Sequence, residues 1–435
     1  MYPARPPLDA PSSPAAPDSD PPPAAASPSP AALLRGVRVL DLTNVLAGPF
    51  AAFQLALLGA EVVKVEAPGT GDLARVLGAD PGLNRRLMGA SFLAQNAGKR
   101  SIAIDLKHPE GRAVLLDLAR GADALIENFR PGVMARLGLG WDALRAVRPQ
   151  LVYCSISGFG QEGPISANPA YDQIVQGMAG VMSITGDARS APLRAGYPVA
   201  DTTGGLTAAF AVAAALFDAR RSGQGRYIDV SMLAAVLATL GWPVSNWLIA
   251  GVDGRPLGND NMTASPSGTF RTADKPINIA ANKQEQFQAL CRVIGRAELA
   301  ADGRFLERDD RVENRADLTR EIEAALMRKP ARHWVDALNR AGVPAGPVLT
   351  VPEALALADA QTHDLTQGFA GVPGVDHELR LIRSGFRVAG AEGKPERPQV
   401  ALPPPALGQH TDEILGELGY DAAKIVRLRE AKAVA

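Results

Sequence analysis

The stretch that decides the fold is "GVRVLDLTNVLAGPFAAFQLALLGAEVVKVEAPG", Gly36 to Gly69. "VRVLDL" is a short strand rich in β-branched and aliphatic residues, and "EVVKVE" is a second one. Between them "PFAAFQLALLGA" reads as a helix, with Pro49 at its start and Gly59 at its end. Strand, helix, strand at this spacing is a βαβ unit, so the two strands must lie parallel. The same alternation continues outward. "SIAIDL" is a strand, "PEGRAVLLDLARG" a helix and "ALIENF" a strand. "PGVMARLGLGWDALRAVRP" is a broken helix, and "LVYCSISGFG" a strand ending in glycines. The expected class is α/β, with an open, Rossmann-like parallel sheet in a large domain and a smaller α+β second domain.

Composition sets the outer limits. The chain has 435 residues, enough for two domains, and a net charge of −1. Such a balance leaves no electrostatic footprint for nucleic acid or an anionic membrane. The two cysteines, Cys154 and Cys291, are far apart and build neither a disulfide framework nor a zinc motif. A reducing cytoplasm is the expected compartment. The five histidines are scattered, so no metal site is expected. Residues 1–32, mostly Pro, Ala, Ser and Asp, read as a disordered tail without the apolar core of a signal peptide. The segment "MLAAVLATLGWPVSNWLIAGV" (Met232 to Val252) has membrane-spanning length, but Pro243, Ser245 and Asn246 break it. Two buried helices, or one broken helix, are expected there. The domain plan is therefore a tail at 1–32, a large domain at 33–254, a small domain at 255–345, and a segment at 346–435 that returns to the large domain.

The first βαβ unit has an acidic residue, Glu66, where dinucleotide folds carry one. Its first turn, "TNVLAGP", has one glycine where a pyrophosphate fingerprint needs three. No nicotinamide or flavin cofactor is expected. A second question sits in "YPVADTTGG" (Tyr197 to Gly205), just before the apolar run "LTAAFAVAAALF". Asp201, Thr202 or Thr203 can simply cap a helix. Alternatively, the field at the helix start holds the Asp201 carboxylate ionised and aimed at a substrate.

Six short stretches, in order, are "LDLTNVLAGP", "GAEVVKVEAPGTGD", "NAGKRSIAIDLK", "ENFRPGVMARLGL", "PAYDQIVQGMAG" and "PVADTTGG". Together with "LGQHTDEILGELGY" near the end, they resemble the family III coenzyme A transferases (the CaiB/BaiF type), a superfamily that includes the α-methylacyl-CoA racemases. The resemblance runs from about Leu34 to the C-terminus. It implies an acyl-CoA:carboxylate CoA-transferase with CoA as co-substrate, and a homodimer of interlocked subunits. It also implies that Asp201 is the nucleophile and forms an aspartyl-CoA thioester, the glycines Gly204 and Gly205 admitting the bulky substrate. Val45, Leu46 and Ala47 match the family's first-turn CoA segment. Ile104, Lys107, Asn128, Phe129 and Arg136 match positions around the nucleotide and pantetheine. Tyr171 and Asp172 orient the acyl group or carboxylate, or else merely pack and cap. Arg194 is a candidate partner for an acceptor's second carboxylate.

The sequence also departs from the family pattern. Formyl-CoA transferases have Gln at the position of Leu46, a basic residue at that of Ala67, and a tetraglycine loop where this chain reads "GNDNMTASPSGTF". These departures argue against oxalate or formyl specificity. The phosphate contact made from the Ala67 position must come from Arg75 or Arg100, or be absent. The racemase branch pairs its Asp with a His at the position of Tyr171, and two-sided proton exchange needs such a partner. Transfer is therefore favoured, with succinyl-CoA as donor and a dicarboxylate such as malate, mesaconate or itaconate as acceptor. A racemase and a CoA-binding protein without turnover are the alternatives.

Overall fold

The computed structural model describes residues 29–362, 364–391 and 393–435. Most of the expected tail lies outside them. Residues 29–32 do not belong to a tail. Ala31 is buried, and Ala32 packs against the turn at Gly59.

Six strands form one sheet: β1 (Arg38–Leu42), β2 (Glu61–Glu66), β3 (Lys99–Ala103), β4 (Ala124–Glu127), β5 (Val152–Ser157) and β6 (Arg226–Ser231). Their order is β3-β2-β1-β4-β5-β6, and every neighbouring pair is parallel. This is the doubly wound order, with its switch point between β1 and β4. Side chains alternate faces along each strand. Val39, Val62 and Ile126 face a core completed by the helix Ala47–Leu57. Leu40, Leu42, Val63 and Leu125 face a second core with Val114 and Leu115. That second core also takes Ile414, Leu415 and Leu428 from the C-terminal helices Thr411–Glu417 and Ala422–Glu430, so the end of the chain packs on the first sheet.

The helix Ala47–Leu57 is apolar all round because it is covered on both sides, by the sheet and by the long helix Val199–Ser222. The Met232–Val252 segment forms two helices, Met232–Thr239 and Trp242–Ala250, bent by 80° at their junction. The helix Val199–Ser222 has the length and apolarity of a membrane span, yet Ala208, Val212 and Leu216 on it are core residues. Beyond these lies a separate core around Phe287, Leu290, Ile322 and Leu338. It is roofed by the antiparallel strands β7 (Ser267–Phe270), β8 (Ile277–Ala280) and β9 (Ala345–Pro347). A two-stranded ribbon, β10 (Thr366–Phe369) with β11 (Leu379–Ile382), follows.

Candidate active site

Asp201 is the third residue of the helix Val199–Ser222, and it is not the cap. Neither threonine caps either: the Thr202 hydroxyl donates to the Pro198 carbonyl. The free N–H groups are met from another helix, Asp172–Met178. Asp172 Oδ1 accepts from the backbone N–H of Ala200 at 2.9 Å and of Asp201 at 3.4 Å. Asp172 Oδ2 accepts from Gln176 Nε2 at 2.6 Å, and Gln176 Oε1 accepts from Ala195 N–H at 2.8 Å. Capping is thus supplied by Asp172, which frees the Asp201 carboxylate for other work.

The glycine pair has a packing use as well. Gly204 and Gly205 are buried at helix crossings. A Cβ on Gly205 would sit 2.5 Å from the Ala47 carbonyl oxygen, and one on Gly204 would sit 2.9 Å from Met232 Cγ. The pair admits the start of the first helix and a methionine. Its effect is to bring Asp201 next to the turn that follows β1.

A cavity of about 160 Å³ opens there. Its lining comprises Asn44, Val45, Leu46 and Ala47 from the turn after β1, Asn128 after β4, Ile156 to Gly158 at the end of β5, and Ala170, Tyr171, Asp201 and Met232. Six of the residues expected from sequence therefore meet in one place: Val45, Leu46, Ala47, Asn128, Tyr171 and Asp201. The place is the switch point of the sheet, at the carboxyl ends of β1 and β4, where ligands of such folds bind. Asn128 bridges the gap. It accepts from Asn44 N–H and donates to the Asn44 carbonyl, both at 2.8 Å. A larger cavity of about 580 Å³ lies at the opposite end of the strands, lined by Arg38, Glu61, Arg100 and Glu417. Its charges are already paired, Arg38 with Glu61 and Arg100 with Glu417.

Burial pushes the Asp201 carboxyl up to about 7, and the neighbouring Asp172 charge adds to the rise. The expectation of a carboxylate held firmly ionised by the helix start is corrected accordingly, since Asp172 already occupies that end of the helix. Glu127, at the end of β4, is also raised to about 7 by burial, although Ser155 Oγ and Phe129 N–H both donate to it.

The remaining expected residues fall outside the cavity. Arg75 is wholly buried. It donates to Glu66 Oε1 and Oε2, both at 2.7 Å, and stacks 3.6 Å from the centre of the Phe92 ring. It is therefore committed to Glu66 and is not free for a CoA phosphate, and Glu66 is not free for a ribose. Arg100 pairs with Glu413 and Glu417. Ile104 is a core residue whose backbone bridges Val434, so it offers a ligand no side-chain surface. Phe129 is half-buried against the second core. Lys107, Arg136 and Arg194 are exposed. Sequence reasoning passed over Asn44, Met232 and Gln176, whose roles arise only from the crossing of distant segments.

The family model for CoA-transferase family III matches residues 34–411. An acetyl-CoA:oxalate CoA-transferase of Acetobacter aceti is 40% identical over 364 residues, 83% of this chain and 91% of that protein. A succinate–glutarate CoA-transferase of Agrobacterium fabrum is 38% identical, over 88% of this chain and 95% of that protein. Among solved structures, a CaiB/BaiF family protein from Brucella suis superposes with a TM-score of 0.77 at 32% identity, covering 88% of this chain and 99% of that one. With the doubly wound sheet, the cavity at its switch point and these likenesses together, the chain belongs to CoA-transferase family III, whose members take CoA thioesters as co-substrates.

Proposed function

We propose that the protein moves CoA from an acyl-CoA donor to a small dicarboxylic acid through covalent intermediates on Asp201. The observation that carries this reading is the placement of Asp201. Its carboxylate opens into the switch-point cavity, and no hydrogen bond or ion pair among the described residues ties it down. An Asp201 oxygen attacks the donor thioester carbonyl and expels the CoA thiolate, leaving a mixed anhydride. The thiolate then attacks the Asp201 carbonyl. This releases the donor acid as its carboxylate and leaves an aspartyl-CoA thioester. The acceptor carboxylate attacks that thioester and again expels thiolate. The thiolate takes the acyl carbon of the second anhydride, and Asp201 is restored.

The dicarboxylate assignment draws on relatives named for glutarate, citramalate, mesaconate and oxalate. The oxalate relative, at 40% identity, returns oxalate to the acceptors worth testing despite the departures at Leu46 and Ala67. We assign the acceptor's far carboxylate to Arg194, exposed on the segment leading into the Asp201 helix. A racemase needs a second proton carrier at the position of Tyr171. That residue is an exposed tyrosine on the cavity lining, and no histidine shares the lining.

The subunits are proposed to pair through an apolar face. Phe210 and Phe217 on the long helix, and Trp247, Leu248 and Ile249 on Trp242–Ala250, are all exposed. Large apolar side chains left exposed on these two helices are what such a pairing would cover.

The reading is tested by mixing succinyl-CoA with glutarate, oxalate, malate, mesaconate and itaconate in turn and following the new thioester chromatographically. Transfer to at least one acid, abolished in Asp201→Asn, is the expected result. Exchange of the α-proton in heavy water with no transfer would contradict it.

A further inference from the structure

Val45 lines the cavity with a left-handed backbone, φ +70°, a conformation that a β-branched side chain resists. Something must hold it there. The turn also folds tightly on itself, because a Cβ on Gly48 would collide with the Thr43 side chain. Val45 N–H donates to Asp72 Oδ1 at 2.9 Å. The same oxygen accepts from Ala74 N–H, and the other lies 3.0 Å from Lys64 Nζ. Lys64 in turn donates to the Thr43 carbonyl at 2.9 Å. Both side chains are fully buried.

The pair ends a chain of buried charges beneath the turn. Lys64 lies 3.8 Å from Asp41, and Asp41 lies 2.8 Å from Lys99. A buried ion pair is a poor device for stability alone, since apolar residues of similar volume serve as well or better. This one stands where the backbone is strained and a ligand site begins.

We propose that Asp72 is a positioning residue. Its carboxylate, neutralised by Lys64, holds the Val45 N–H and so keeps the turn 43–47 in the shape that receives the thioester end of CoA. The inference rests on the part of the proposed function that makes this cavity the CoA site.

The probe is CoA itself, titrated calorimetrically into the full chain. Asp72→Ala is expected to weaken CoA binding about tenfold or more. Adding Val45→Gly, which adopts the left-handed turn without strain, is expected to recover most of that loss. Asp72→Ala risks leaving Lys64 unpaired and the chain unfolded. Asp72→Asn avoids this, because it keeps an oxygen for the Val45 N–H while Lys64 keeps the Thr43 carbonyl and the nearby Asp41. It is expected to bind CoA within about threefold of the wild type. Full affinity in Asp72→Ala would overturn the proposal. So would a loss in both the Ala and the Asn variants that Val45→Gly leaves unchanged, since a purely structural role would give that pattern. Wild-type protein that binds no CoA would overturn this reading and the transferase reading together. CoA bound without transfer would overturn only the latter.

Discussion

At the scale of single residues, two carboxylates divide the work at one helix start. Asp172 takes the free N–H groups of Ala200 and Asp201, and Asp201 is left to the cavity. The arrangement has a pH signature. With Asp201 raised to about 7 by burial and by Asp172, the fraction ionised, and hence kcat/KM, is expected to climb with pH through about 7. Asp172→Asn keeps an oxygen for the helix N–H groups and removes the like charge, so that limb should move to lower pH in a pH–rate profile. Stability carries the opposite sign. The folded-state value lies above the ordinary 3.8, so the folded chain binds more protons between about pH 4 and 7. Asp201 therefore costs stability progressively as pH rises through that window, and the cost is complete above it. Asp201→Asn should abolish transfer and raise stability at pH 8 by about 1 kcal/mol, checked by thermal melts. Arg194→Ala should raise the acceptor KM about tenfold and leave the donor KM unchanged, the pattern expected when one charge-assisted contact to the acceptor is lost.

At the scale of elements, the site is made by a crossing of helices. Gly205→Ala places a methyl group against the Ala47 carbonyl, a backbone atom that cannot swing aside. We expect a loss of about 1–3 kcal/mol in denaturant melts and a fall in activity, because the turn after β1 is displaced. Gly204→Ala meets only the flexible Met232 side chain and should cost less. Much of this layer was legible in the sequence. "VRVLDL", "EVVKVE" and the helix between them stand close to where periodicity put them. What was not legible came from distant partners. Asp201 looked like a cap because its actual cap, Asp172, lies 29 residues away in the chain. The strand β3 begins at Lys99, before the expected Ser101, because Lys99 is buried on Asp41. No local pattern announces that a lysine will be inside. Arg75 was misread for the same reason: its buried partner, Glu66, is visible only in three dimensions.

At the scale of the whole molecule, alternation of strands and helices was enough to foresee a parallel sheet with helices on both faces. The order β3-β2-β1-β4-β5-β6 then explains why residues as far apart as Val45, Asn128 and Asp201 share one cavity. The exposed apolar surface of the helices Val199–Ser222 and Trp242–Ala250, with Phe210 77% and Ile249 85% exposed, has no covering partner among the described residues. If two copies cover it for each other, Phe210→Asp or Ile249→Asp should convert a dimer into a monomer in light scattering. A wild-type protein that is monomeric at micromolar concentration would contradict that arrangement.

The most direct test of a nucleophilic Asp201 is a trapping experiment. The wild-type protein is incubated with succinyl-CoA and no acceptor, treated with hydroxylamine or borohydride, digested, and examined by mass spectrometry, with Asp201→Ala as the blank. A modified Asp201 in the peptide around "PVADTTGG", absent from the blank, is the expected result. CoA transfer to an acid with Asp201 unmodified under trapping, or undiminished in the Ala variant, would contradict it.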